Sequence, residues 1–208
     1  VPDLSEYSVQ VGLLHLNSSL DPQAPHRTRG LWPGGIQLAL LKLASKKLSF
    51  IHLPLSEHAL PSSSSSRLWG HRRNQLSHVR LGETKGTGYE GALKAVSLPM
   101  VSNDWCSELH NKTLPVTDSK VCAGGKTDQG VCERDYGGPL VCQERESKVI
   151  VGVSIHGRGC ALARRPAIFV NVAYYSGWIH KVFIHYSRLE EKLLEEAQTK
   201  PLHSGLYH

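Results

Sequence analysis

The stretch "GVCERDYGGPLVC", Gly130 to Cys142, gathers residue types from which acyl-transfer chemistry is built. A serine-type hydrolase needs a hydroxyl on a sharp turn, a histidine to take its proton and a carboxylate to hold that histidine in one tautomer. It also needs backbone N–H groups aimed at the developing oxyanion. Gly137, Gly138 and Pro139 permit a tight turn that leads into a strand, Asp135 supplies a carboxylate, and cysteines flank the loop. At its centre, however, stands Tyr136. A phenol ionises near pH ~10, and no neighbouring residue reads as a base for it. The ring also fills the space that a scissile carbonyl has to occupy.

Short strands must position this loop. From Leu81 to Val172, apolar segments of a few residues alternate with Gly, Pro, Asn and Asp turns, as in "KVCAGG", "KVIVGVSIHGRG" and "PAIFVNV". That spacing predicts a β-barrel or sandwich. Upstream, "IQLALLKLA" (Ile36 to Ala44) reads as a buried strand within a Pro- and Gly-punctuated segment. Five serines at 62–66 have no apolar face to bury, and the polar, basic "RLWGHRRNQLSHVR" after them reads as part of the same surface excursion. From Tyr174 the period changes. Tyr175, Trp178, Ile179, Val182, Phe183, Tyr186, Leu189 and Leu193 recur at three- and four-residue steps, which predicts an amphipathic helix. "RLEEKLLEEAQTK" extends it until Pro201, either as a solvated tail or as a docking helix.

The 208-residue chain is long enough for one substantial core or two small ones. No apolar run approaches the ~18–20 residues of a membrane span. "VPDLSEY" shows neither the basic nor the apolar region of a signal peptide. Five cysteines, with N-x-S/T acceptor triplets at Asn17 and Asn111, lean toward an oxidising, extracellular compartment and glycosylation. The formal charge of +6 is concentrated in His26 to Arg29, His71 to Arg73, and Arg164 with Arg165. These clusters read either as a solvated basic face or as a site for a heparin-like polysaccharide. No nucleic-acid-binding pattern occurs, and neither a metal nor an organic cofactor is expected.

Through "GALKAVSLPMVSNDWC", "VCAGG", "DYGGPLVC", "GRGCA" and "RPAIFVNVAYYSGWIHK", the segment from Leu81 to Tyr186 resembles the second barrel of the trypsin-like serine protease family. The likeness covers most of residues 7 to 186. "DYGGPLVC", "GRGCA" and "VAYYSGWIHK" are similar to the non-catalytic, protease-like chains of the hepatocyte growth factor group, with macrophage-stimulating protein next; "GETKGTG" is similar to plasminogen, an active relative. The implied fold is mostly β. It is a double β-barrel, with a remnant of the first barrel at 1–61, a Ser-rich and basic insertion at 62–80, the second barrel at 81–173, a C-terminal helix and extension at 174–200, and a tail at 201–208. On the order of fifty residues of the family's first barrel have no counterpart in the chain.

The resemblance also assigns positions. Tyr136 occupies that of the nucleophile and Gln37, in "QLALLKL", that of the triad aspartate; no "AAHC"-type histidine loop is present. Gly130 stands where the family's specificity pocket has an aspartate, and Arg134 where the oxyanion hole has a glycine. The implied disulfides are Cys106 with Cys122 and Cys132 with Cys160. Cys142 should pair with a cysteine ahead of a "GWG" turn, aligned on Trp69-Gly70 or, preferably, on Leu81-Gly82. Neither register supplies one, so Cys142 is expected to stand outside any disulfide. The cysteine that tethers the growth factors' upstream kringle-bearing chain, near His58, is also missing. In active relatives Asp135 meets the liberated N-terminus. With no evident partner here, it is expected to be exposed or on a mobile loop.

The resemblance implies a catalytically inactive ligand chain for a receptor tyrosine kinase ectodomain. Glu133, Tyr136, Arg158 and Arg165 would form its receptor face, and Tyr136 has the alternative of plugging the empty pocket as core. Beside this stand a non-signalling decoy, a heparin-binding module, a decayed or partial gene product, and an active trypsin-like protease.

Overall fold

The computed structural model describes residues 8–9, 26–33, 38–43, 51, 53, 76–80, 93–110, 116–125, 131, 135–144, 146–156 and 164–199. Near the N-terminus, β1 (Ser8–Val9), β2 (His26–Pro33) and β3 (Ala39–Leu43) form an antiparallel three-stranded sheet in that order. β3 lies inside the expected strand at Ile36 to Ala44, but it is not buried. Leu41 is 43% exposed, and Ala39 on the same side of the strand is exposed too. A run of leucines has no polar residue to mark a solvent side, so sequence alone reads it as covered on both faces.

The larger sheet contains β4 (Leu76–Arg80), β5 (Lys94–Ser97), β6 (Met100–Val101), β7 (Lys120–Gly124), β8 (Pro139–Glu144), β9 (Ser147–His156) and β10 (Pro166–Asn171). Its strand order is β5-β4-β8-β9-β10-β7-β6, antiparallel at every pairing. This is the mostly β, half-barrel sheet that the resemblance implies. It starts earlier than expected, because residues 76–80 belong to a sheet strand and not to the polar excursion. Leu76 and His78 are buried while Ser77 and Val79 are half-covered. The alternation is real, but one of the two interior residues is a histidine, which conceals it from an apolar-periodicity reading.

Period-two alternation splits the sheet's side chains between two clusters. On one side, Leu76, Leu140, Cys142, Val149, Val151, Val121, Ala123, Ala167 and Phe169 form the main core. On the other, Cys122 and Ile168 pack with Cys106 of a short helix, α1 (Asn103–Leu109). Ser102 caps α1, its hydroxyl accepting the Trp105 N–H at 3.4 Å. Asn103 braces the approach to β7 by donating to the Thr117 and Lys120 carbonyls at 3.2 and 3.1 Å. At the other end of α1, His110 donates Nε2–H to the Pro166 carbonyl at 2.9 Å. The Cys106–Cys122 disulfide ties α1 to β7, as the resemblance implies. Closing a loop of that length stabilises by about 3 kcal/mol in the chain-entropy model. Cys132 and Cys160 lie outside the described residues.

The chain divides into units at Val1–Ser176 and Gly177–His208. The second consists, where described, of helix α2 (Ser176–Thr199) from Gly177 onward. Tyr174 and Tyr175 precede it in a turn, so the helix starts two residues after the apolar period does. Ile179 is buried, whereas Phe183, Leu189 and Leu193, along the same stripe, are exposed. No described helix is long and apolar enough to cross a membrane.

Cys142 is wholly buried, and its cross-strand neighbour on β4 is Leu76. Directly opposed residues of an antiparallel ladder have Cα atoms about 4.5–5.5 Å apart, within disulfide reach. Leu76→Cys is therefore expected to oxidise with Cys142 and raise stability by up to about 4 kcal/mol. The checks are non-reducing mass and a denaturant melt. Two cysteines that stay reduced under air oxidation would show the register to be wrong.

Candidate functional site

The loop carrying Tyr136 ends in a four-residue turn, Asp135 to Gly138, closed by the Gly138 N–H donating to the Asp135 carbonyl at 3.0 Å. Gly137 has φ +83°, and Tyr136 before it is not in the left-handed region. A positive φ at the third position alone defines a type II turn, which places Tyr136 at its second position. The turn is then fastened to β9. Gly137 N–H donates to the Ser154 carbonyl at 2.7 Å, and Ser154 N–H donates to the Gly138 carbonyl at 2.9 Å. Pro139 follows as the first residue of β8, where a strand tolerates proline.

The two glycines are needed for different reasons. At Gly137 the backbone angle is the constraint, and an added Cβ would meet nothing within 4 Å. At Gly138 the space is the constraint, because a Cβ would lie 2.9 Å from the Asp135 carbonyl oxygen and 2.9 Å from Cε1 of His78. The imidazole is therefore pressed against the back of the turn. His78 donates Nδ1–H to the Pro139 carbonyl at 2.9 Å, since a carbonyl only accepts. The ring also meets Phe169 edge-on, with centroids 5.6 Å apart.

Tyr136 is 46% exposed at the corner of this turn. It does not plug a pocket as core, because the second position of a turn fastened from behind directs its side chain outward. Asp135 departs from expectation in the opposite sense. It is 4% exposed and engaged, not a solvent-facing carboxylate lacking a partner. The backbone bonds of Gly137 and Gly138 draw the start of the turn under the sheet, and local sequence does not reveal a join made to β9.

Of the other expected site residues, only Arg165 is described. It is exposed and immediately precedes β10. Arg164 before it has φ +59° and donates its N–H to Gly125 at 2.9 Å. Ser154, which holds the turn, pairs with Phe169 in the β9–β10 ladder, and Arg165 lies four residues before Phe169. At strand rise the two points are about 13 Å apart along the sheet. Gln37, Gly130, Glu133, Arg134 and Arg158 lie outside the described residues, as do Asn17 and Asn111. Among the described residues, no three His, Cys, Asp or Glu side chains gather as a metal would require.

Sequence reading missed His78 and Ser154. His78 sits in a segment taken for a polar loop, and Ser154 looks like any small polar residue in a strand. Only the pairing of β4 and β9 with the turn gives them a place.

The family model described as "Trypsin" matches residues 17–179 of the chain. The match contains the turn, every strand of the larger sheet and the first turn of α2, and it ends before the exposed part of the helical stripe.

The two glycines are separable by experiment. Gly137→Ala is expected to cost about 1–2 kcal/mol for its backbone angle and to leave the His78 ring signals in place. Gly138→Ala is expected to cost about 1–3 kcal/mol for the forced contact and to shift them. Urea melts with histidine-resolved NMR make the comparison, and an undisturbed His78 ring in Gly138→Ala would contradict the packing described.

Proposed function

The chain belongs to the trypsin family, and on that premise we propose that it is a non-catalytic member: a secreted, growth-factor-like chain that binds a receptor tyrosine kinase ectodomain of the hepatocyte growth factor receptor type. The observation that carries the reading is Tyr136, a half-exposed tyrosine on a rigid turn where the family's resemblance places a nucleophilic serine. A phenol on a bulky ring stands there in place of the small alcohol that an adjacent histidine activates in a serine hydrolase. Gln37 at the aspartate position and Arg134 at the oxyanion glycine, both assigned by resemblance, argue the same way.

What disfavours catalysis favours recognition. Tyrosine and arginine are the residues most often found as interface anchors. Tyr136 and Arg165 are both exposed, and the ~13 Å along the sheet between Arg165 and the Ser154–Phe169 pair that holds the turn is within the radius of a patch burying ~800 Å² per partner. Glu133 and Arg158 would complete the face. The net charge of +6 favours a second reading, a polysaccharide-binding chain that does not signal, and ionic strength separates the two.

Tyr136→Ala and Arg165→Ala are each expected to weaken binding to the receptor ectodomain at least about tenfold, since hot-spot truncations cost more than ~1.4 kcal/mol, with melting temperatures unchanged. Unaltered affinities would remove the receptor face. Binding that collapses with salt and ignores both substitutions would favour the polysaccharide. A fluorophosphonate probe is expected to leave both the chain and Tyr136→Ser unlabelled, because serine alone brings no base. Labelling of the unmodified chain would make it an enzyme after all.

A further inference from the structure

Among the described residues, Arg164 is the one non-glycine residue with a positive φ, at +59°. The left-handed region is disfavoured by the Cβ of a side chain, and glycine or asparagine usually stands there. Arg164 is also exposed, so burial does not offset the cost. A backbone outlier that packing does not require points to a use for the side chain it carries.

The backbone there is held from two directions. The Arg164 N–H donates to the Gly125 carbonyl at 2.9 Å. Gly125 is itself left-handed, at φ +88°, and a Cβ on it would lie 3.3 Å from the Pro166 nitrogen. Pro166 pairs with Gly124 in the β7–β10 ladder, and its carbonyl bonds the ring of His110, at the end of α1, at 2.9 Å. The Cys106–Cys122 disulfide ties α1 to β7 in turn. Arg164 and Arg165 are therefore presented from a braced corner, and little backbone freedom is lost when a partner meets them.

Two exposed guanidinium groups follow one another at this corner. Among the described residues neither meets a carboxylate, although α1 carries the exposed Asp104 and Glu108. The planar fork of an arginine takes a carboxylate through two parallel N–H bonds, which a lysine cannot do. A long polyanion fits less well. Glu108 stands two residues before His110, on the helix that reaches Pro166, and the strand that follows the arginines is buried from Pro166 to Val170 and continues the row with no cation. We infer that Arg164 is a specificity-determining contact: with Arg165 it forms a dibasic corner that docks a pair of neighbouring carboxylates on the receptor ectodomain. This rests on the receptor binding proposed above and adds to it one residue and the chemistry of the surface that faces it.

The test is surface plasmon resonance of the full chain on the receptor ectodomain, from low to high salt, beside a thermal melt. Arg164→Gly removes the side chain and relieves the backbone. It should weaken binding about tenfold and flatten the fall of the on-rate with salt, without lowering the melting temperature. Arg164→Lys keeps the charge and loses the fork, so it should keep the salt dependence and recover only part of the affinity. Unchanged affinity and salt slope in Arg164→Gly would overturn the corner and leave receptor binding standing. A loss of affinity at an unchanged salt slope would also overturn it, because the facing surface would then not be anionic. A melting temperature that falls with the affinity would make Arg164 a structural residue instead. An unmodified chain that does not bind the ectodomain would remove the corner and the receptor binding together.

Discussion

Ser154 and the turn from Asp135 to Gly138 hold each other through two backbone hydrogen bonds, and that join sets the terms for the rest of the larger sheet. It requires a left-handed residue at 137 and no side chain at 138. It sits beside His78 on β4, whose ring bonds the Pro139 carbonyl, and β4 is brought there by its pairing with β8. It also places Phe169 opposite Ser154, so that the most enclosed aromatic of the core shares one corner with the most exposed feature of the site. An orphaned backbone group under a sheet costs as much as a lost hydrogen bond. The two bonds therefore fix the backbone geometry at 136 whatever side chain stands there.

Much of this was legible in the sequence, for physical reasons that can be named. Strands β7 to β10 are short apolar runs cut by glycine, proline or asparagine, and such runs announce themselves. The Cys106–Cys122 pair followed from family resemblance. The helix period from Tyr175 onward was unmistakable, and its start moved by only a turn residue or two. What failed was whatever depended on distant partners. β4 was hidden because its second interior residue is a histidine, one of whose ring nitrogens bonds the carbonyl of Pro139, 61 positions away. The partial exposure of β3 was hidden because leucine on an open face looks the same as leucine in a core.

The site divides along the same line. Gly137, Gly138 and Pro139 identified the turn without help. The fate of Asp135 was misread, because a carboxylate with no sequence-evident partner is reasonably sent to solvent, whereas the turn's attachment to β9 carries it inside. Tyr136 was legible as an anomaly with two readings, one on a surface face and one filling a pocket, and its 46% exposure at the turn agrees with the first.

The strand order of the larger sheet bears on how the chain acquires it. β4 with β5, β6 with β7, and β8 with β9 are partners close in sequence, able to meet early and locally. β4 with β8 and β7 with β10 are distant, and until β8, β9 and β10 exist the two early pairs have nothing between them. Loop-closure entropy must be overcome before such contacts reward it, which makes sheets of this kind slow to form. On a ribosome adding about 5–20 residues per second, the roughly sixty residues from β4 to β8 are made before the centre of the sheet can be laid down. For roughly 3–12 seconds the nascent chain carries strands whose inner neighbours have not yet been made.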